Sequence, residues 1–279
     1  MVHLANAAGD KATISLYGGQ VVSWVAADGA ERLYRSPQAV QGEGRAVRGG
    51  IPVCFPQFAN RGTTPKHGFA RTSYWWFAGA TKASNDTSVA SVGLVLKDSE
   101  VSRAIWPHKF HLRLQVSIGP GWLEVELQAL NSGIRPFSFT AALHTYLAVA
   151  DVQHAAVVGL ERVGYVDSMQ AADRNDNQTL TVQNDVNLQI AGEVDRIYTS
   201  APAAVRLTSI PNLVLDVVQT GFVDTVVWNP GPIKAATLGD MPAADWERML
   251  CIEAAQVAQP VVLQPGGSWT GSQRLTARC

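Results

Sequence analysis

The sequence predicts an all-β protein, a large antiparallel sandwich with a few short helical turns. Three observations carry that expectation. Short apolar or alternating runs of strand length recur along the chain, separated by glycine, proline, asparagine and aspartate. No long segment places apolar residues at the 3.6-residue spacing of a helix. Nothing reads as a linker, a low-complexity segment or an internal repeat, so residues 1–279 are expected to form a single domain.

Taken in order, residues 13–24 (TISLYGGQVVSW) read as early strands with Gly18-Gly19 as a turn or bulge. Residues 31–36 (ERLYRS) and 88–99 (SVASVGLVLKDS) read as further strands. Residues 111–120 and 121–133 form a hairpin around Gly119-Pro120-Gly121. In its second arm Leu123, Val125, Leu127 and Ala129 share one face, and Trp122, Glu124, Glu126 and Gln128 the other. That period-two alternation marks a strand with one buried face. Strands follow in residues 135–151, 155–168, 178–183, 187–200, 203–222, 224–230, 248–257 and 268–277. Residues 98–107 and 242–250 each carry a short helical signal, with Pro107 stopping the first.

Composition narrows the function. Apolar residues make up 47% of the 279, enough for a sizeable core, and charged residues only 16%. With 22 Lys plus Arg against 23 Asp plus Glu, the net charge is -1. That argues against a broad surface for nucleic acid and leaves room for a local cationic pocket. No apolar run reaches the ~18 residues of a membrane span, and the start MVHLANAAGD lacks a secretory pattern. Cys54, Cys251 and Cys279 are odd in number with no CxxC pair, so no disulfide framework is expected. The expected location is cytoplasmic, with organelle import by a segment outside this sequence left open.

Chemistry concentrates in three places. Residues 47–72 (VRGGIPVCFPQFANRGTTPKHGFART) hold Arg48, Arg61, Lys66, His67 and Arg71 among four glycines and three prolines. Cations on a stiffened path are suited to an anion, and an arginine fork suits a phosphate. The alternative is a solvated surface loop, although Phe55, Phe58, Phe69, Tyr74, Trp75 and Trp76 argue against full exposure. In residues 135–151, His144 groups with Ser138, Thr140 and Tyr146, opposite Phe137, Phe139, Ala141 and Leu143. A histidine on a polar sheet face can act as general acid or base, or be a structural histidine with its hydrogen bonds satisfied. Glu253 stands in the apolar run RMLCIEAAQV, where a carboxylate is costly unless paired or used. It is a catalytic candidate, or else an edge carboxylate or half of a salt bridge. Asp195 precedes Arg196, which allows an exposed ion pair. His108 and His111 point to opposite faces of a strand, and no Cys or carboxylate stands at matching spacing, so no metal site is expected. Phosphate-binding glycine loops and the Gly-x-Ser-x-Gly signal of hydrolases are absent.

RGGIPVCFPQF, KHGFAR followed by Tyr74-Trp75-Trp76, ALHTYL, EVDRIY, VVWNP and CIEAAQV occur in that order. Together they resemble the glucose-6-phosphate 1-epimerases, or hexose-6-phosphate mutarotases, of the galactose mutarotase-like superfamily, from about Leu16 to the last strand. The resemblance implies a β-supersandwich with its site on a concave sheet face. It implies that His144 and Glu253 are catalytic and that Arg48, Arg71 and Asp195 bind substrate. His67 matches a residue lining the same pocket. Lys66 stands where such proteins often have glutamine, and its charge suits a phosphorylated ligand. The implied reaction interconverts α and β anomers of an aldohexose 6-phosphate, with ionised Glu253 as base, protonated His144 as acid and no cofactor. The expected partner is a small phosphosugar, with neither nucleic acid nor membrane, and the expected state is a monomer. The competing readings are an aldose 1-epimerase for neutral sugars and a non-catalytic carbohydrate-binding sandwich.

Overall fold

The structure, a computed structural model, describes residues 1–42, 44–82, 88–169, 180–209 and 213–278. Antiparallel strands dominate it and fall into three sheets. The nine-stranded sheet runs Asn187–Gln189, Ala155–Val158, Ala204–Ser209, Leu213–Thr220, Ser268–Arg278, Trp122–Asn131, Phe110–Gly119, Ala90–Lys97, Trp76–Lys82. The eight-stranded sheet runs Thr181–Val182, Gly164–Asp167, Val194–Tyr198, Asp224–Asn229, Met249–Leu263, Phe137–Leu143, Val53–Cys54, with Tyr146–Ala148 also paired to Met249–Leu263. A three-stranded sheet is formed by Val2–Ala5, Lys11–Ser15 and Gln20–Val25.

One apolar cluster joins the two large sheets. Leu112, Leu114, Leu123 and Leu127 of the nine-stranded sheet belong to it, as do Phe139, Leu143, Val227 and Ile252 of the eight-stranded one. The alternation read in the second hairpin arm is the cause on one side. Leu123, Val125, Leu127 and Ala129 are buried, whereas Glu126 and Gln128 are exposed. On the eight-stranded sheet the same period sends Ile252 and Ala254 into this core and Glu253 to the opposite face. There a smaller cluster of Cys54, Phe58, Ala142, Ile197, Val226, Ala255 and Val257 forms a second apolar bed. The site lies on that second face.

Three local departures from the sequence reading have physical causes. Residues 31–36 form isolated bridges at Glu31, Leu33 and Arg35 and not a strand. The Glu31 carboxylate accepts from the Trp24 and Leu33 amides, both at 2.9 Å, and so takes donors that a ladder would use. Residues 135–151 split into Phe137–Leu143 and Tyr146–Ala148. At the break the His144 amide donates to the Pro52 carbonyl at 2.9 Å, and the Thr145 carbonyl accepts from the Ile252 amide at 3.1 Å. The helix Gly231–Ala235, five residues long, has too few positions to show a period in the sequence.

The strands Val2–Ala5 and Trp76–Lys82 had no counterpart in the sequence reading, and Met249–Leu263 runs beyond the segment expected at 248–257. Glu100–Ile105 is helical behind a Ser99–Ser102 capping box, and Ala243–Arg248 is a 3₁₀ turn. Of the strand expected at 178–183, Thr181–Val182 is observed and residues 178 and 179 lie outside the described part, as do residues 210–212 of the 203–222 segment. Among the described residues no helix is long and apolar enough to cross a membrane.

Candidate active site

Residues 47–72 are not one regular element. They fold as a path of turns with a two-residue strand, Val53–Cys54, and the single 3₁₀ turn Ala70–Thr72. Gly50 and Gly68 are steric necessities. A Cβ on Gly50 (φ 63°) would lie 2.1 Å from the Val21 carbonyl oxygen, and one on Gly68 (φ 70°) 2.0 Å from that of Phe55. His67, beside Gly68, also holds a left-handed φ of 63°. A non-glycine residue there is strained, and such strain clusters at functional sites.

The path closes a small cleft of about 250 Å³ over the outer face of the eight-stranded sheet. Arg48, Lys66, His67, Arg71, His144, Asp195 and Glu253, every site residue expected from the sequence, line it. A larger cleft of about 660 Å³ beside Thr181–Gln189 has neither a histidine nor a glutamate in its wall.

His144 sits at the break after Phe137–Leu143, and its ring stacks on Tyr146 with centroids 4.8 Å apart. Glu253 sits mid-strand opposite Val226. The two side chains meet with His144 Nε2 3.4 Å from Glu253 Oε1. Both are buried, Glu253 to 1% exposure. Among the described residues, His144 Nδ1 and Glu253 Oε2 have no hydrogen-bond partner. Burial raises the Glu253 carboxyl well above its ordinary range, the Asp195 charge adds to this, and Arg71 opposes it. Burial also holds the His144 imidazole well below its ordinary pKa, helped by Arg71 and Arg48. Both shifts favour a carboxylic acid beside a neutral imidazole over the ionised pair that the sequence reading takes as the reacting state. Either arrangement carries one proton. What differs is its position along a 3.4 Å contact.

The cations differ in how free they are. Arg48 is held firmly. Its Nε lies 3.2 Å from both Asp240 oxygens, Nη2 3.1 Å from Oδ1, and Nη1 donates to the Tyr146 hydroxyl at 3.1 Å. Arg71 donates from Nη2 to the Lys66 carbonyl at 2.9 Å, while its buried Nε has no partner among the described residues. Lys66 has its pKa lowered by burial and then by the nearby charges of Lys234 and Arg71. His67 Nδ1 accepts from the Ala59 amide at 3.3 Å, so that nitrogen carries no proton and the Cys54 thiol, also at 3.3 Å, donates to it. The ring proton is thus on Nε2. Burial, then the charges of His144 and Arg71, keeps the imidazole neutral.

Asp195 makes no ion pair with Arg196. The Arg196 guanidinium lies 4.5 Å over the Tyr165 ring and donates to Gln183 at 3.1 Å. Asp195 turns to the cleft instead, where burial raises its pKa and Lys234 counters. Sequence reasoning missed Tyr146, Trp228, Lys234 and Asp240. Trp228 lies in the VVWNP motif, and its ring centroid is 6.0 Å from Tyr146 and 5.9 Å from His144. Lys234, on the short helix, contacts Glu193 at 2.5 Å. Cys251 precedes Glu253 by two residues, and one donor atom each from His144, Cys251 and Glu253 lie within 4.8 Å of one another. The sequence reading, which sought metal donors at fixed spacing, expected no such group.

Known proteins resemble this chain over most of its length. The family described as aldose 1-epimerase matches residues 1–276. A Cenchrus ciliaris protein named "Putative glucose-6-phosphate 1-epimerase" is 39% identical over 272 residues, covering 95% of this chain and 81% of the relative. A Salmonella typhimurium protein of the same name is 32% identical over 255 residues, covering 90% and 81%. The solved structure of a Salmonella typhimurium "putative mutarotase" superposes with a TM-score of 0.85 at 28% identity, covering 96% of this chain and 88% of that one.

Proposed function

The chain belongs to the aldose 1-epimerase family, and on that premise we propose that it is a hexose-6-phosphate mutarotase, interconverting the α and β anomers of glucose 6-phosphate and related aldohexose 6-phosphates. The observation that carries this reading is the 3.4 Å contact of His144 with Glu253 in a cleft walled by Arg48, Lys66 and Arg71.

In this reading the phosphate binds against Arg71, Lys66 and the Arg48 N–H groups not spent on Asp240 and Tyr146. Asp195 and the Nε2–H of His67 hold sugar hydroxyls. The phosphate offsets the same two arginines that depress His144, which favours moving the shared proton from Glu253 to His144. Glu253, now a carboxylate, takes the proton of the anomeric hydroxyl. The C1–O5 bond breaks with its electron pair going to O5, and O5 takes the proton of His144. The former hydroxyl oxygen becomes the carbonyl of the open-chain aldehyde. Rotation about C1–C2 presents the other carbonyl face, and reclosure runs the transfers backwards. No electron or group leaves the sugar, so the chemistry requires no cofactor. Each positioned proton-transfer group contributes about 10²–10⁴-fold. We take the enzyme to act as a cytoplasmic monomer, a state that sedimentation tests.

Exchange NMR of anomer interconversion, with glucose 6-phosphate and with glucose, tests the reading. The expected outcome is acceleration with a clear kcat/KM advantage for the phosphate ester. Equal kcat/KM for the two sugars would favour the neutral-sugar epimerase. Binding without acceleration would leave a carbohydrate-binding module.

A further inference from the structure

Cys251 has no part in the proton transfers just described. It is fully buried, on the strand of Glu253 and two residues before it, so both side chains leave the sheet on one face. Its neighbours across the sheet are Trp228 and Tyr146, two rings of the cleft. The thiol thus lies beside the acid–base pair, with one donor atom each from His144, Cys251 and Glu253 inside a 4.8 Å group.

We propose that His144, Cys251 and Glu253 form an inhibitory site for a thiophilic divalent cation of the zinc type, whose entry removes both proton-transfer groups at once. Zinc binds nitrogen, sulfur and oxygen donors at roughly 2.0–2.3 Å in a tetrahedron, which spaces its donors about 3.3–3.8 Å apart. The His144–Glu253 contact, 3.4 Å, already has that spacing. The widest spacing in the group, within 4.8 Å, exceeds that range by no more than about 1 Å. The unpartnered, buried Glu253 Oε2 adds a lone pair that no protein donor takes up among the described residues. One thiolate and one carboxylate balance the double charge, so the buried site stays neutral when filled. The thiol proton and the proton shared by the pair leave to solvent as the metal enters. The mixed donor set favours zinc and its borderline-soft neighbours over magnesium or calcium, which prefer oxygen. Three protein donors leave the fourth position open toward the cleft, as in sites where zinc keeps an exchangeable ligand. Binding is independent of the mutarotase reading, whereas the loss of turnover rests on it.

Titration of the full chain with cobalt(II) chloride, a coloured stand-in for zinc, is the direct test. The expected result is a thiolate-to-cobalt charge-transfer band saturating at one equivalent, lost in Cys251→Ser and kept in Cys279→Ser. Saturating zinc chloride should slow glucose 6-phosphate anomer exchange by at least about 100-fold, since both proton carriers are blocked. A chelator should restore the rate. Cys251→Ser should retain exchange and tolerate the same zinc. A wild-type chain with no such band overturns the proposal even if Cys251→Ser fails to fold. A band that survives Cys251→Ser, or zinc inhibition unchanged in that variant, overturns it equally. A band in a chain without anomer exchange on any hexose 6-phosphate would support the metal site and sink the functional reading instead.

Discussion

The two large sheets treat charge in opposite ways on their outward faces. Over the eight-stranded sheet, Glu253 and His144 are buried, a carboxyl oxygen and a ring nitrogen lack partners among the described residues, and both groups are driven toward neutrality. On the nine-stranded sheet, Asp216 receives Arg206 Nε and Arg278 Nε, each at 2.6 Å, with both arginines more than half exposed. Arg274 lies 3.9 Å over the Trp122 ring on the same sheet. Wet, paired charges cost little and stabilise little. Dry, unpartnered ones are a standing cost that a fold keeps when they do chemistry. The contrast separates the site from ordinary surface without reference to any relative.

The sharpest way to break the contrast is to leave Glu253 its shape and remove its acidity. Glu253→Gln should lower kcat by about 10²–10⁴-fold with a small change in KM, measured by exchange NMR. Its thermal midpoint should hold or rise, because a buried acid is gone. A variant with wild-type kcat would remove Glu253 from the mechanism.

A third arrangement tests whether burial alone marks function. Asp224 is fully buried but satisfied, accepting from the Val257 and Ala258 amides at 2.8 Å each and from the Ser200 amide at 3.1 Å. It braces the end of the segment that carries Glu253. Asp224→Ala strands those amides and should cost roughly 3 kcal/mol of unfolding free energy in urea titrations. Enzyme that remains folded should keep much of its kcat. If kcat fell as far as in Glu253→Gln with stability unchanged, partnered burial would not separate brace from catalyst.

Much of this was legible in the sequence, and the illegible part has a physical reason. The hairpin of Phe110–Gly119 with Trp122–Asn131 could be read because period two is local. Glu253 stood out as a carboxylate in an apolar run, and His144 because it falls with Ser138, Thr140 and Tyr146 on the polar face of its segment. The Asp240 that grips Arg48, and Lys234 on its five-residue helix, left no local pattern, since only tertiary closure brings them to the cleft. The pull of the pair toward its neutral form was illegible for the same reason. It depends on how much water the finished fold excludes, which no spacing reveals. The strand expected at 31–36 failed because Glu31, a single side chain, took the backbone donors.

The arginines sharpen the comparison further, because Arg48 is held by an acid and a phenol and Arg71 by a single backbone carbonyl. Arg71→Met should weaken glucose 6-phosphate binding by roughly 1.5–3 kcal/mol, the range for a hydrogen bond to a charged group, and glucose binding much less. Arg48→Met should show the same binding loss with an added loss of stability, because Asp240 and the Tyr146 hydroxyl lose their partner. Calorimetric binding beside urea midpoints separates the two. If Arg71→Met bound both sugars as the wild type does, the phosphate would have to sit elsewhere in the cleft.

The smallest effect belongs to the paired surface charge. Hydrogen bonds from Arg206 hold the Asp216 carboxyl below its ordinary pKa, with partial burial opposing and Arg278 adding to the effect. A carboxyl whose pKa is lower folded than unfolded stabilises fully above its ordinary value. It loses that contribution as pH falls through the folded one. Asp216→Asn should therefore cost about 0.2–1 kcal/mol at neutral pH, less in high salt, with anomer exchange unchanged. The gap between wild type and variant should hold steady from neutrality down to the ordinary aspartate range and shrink in stronger acid. Urea midpoints measured down that pH series check the sign. A gap that widened in acid, or a fall in kcat, would mean that the outer face of the nine-stranded sheet is coupled to the cleft.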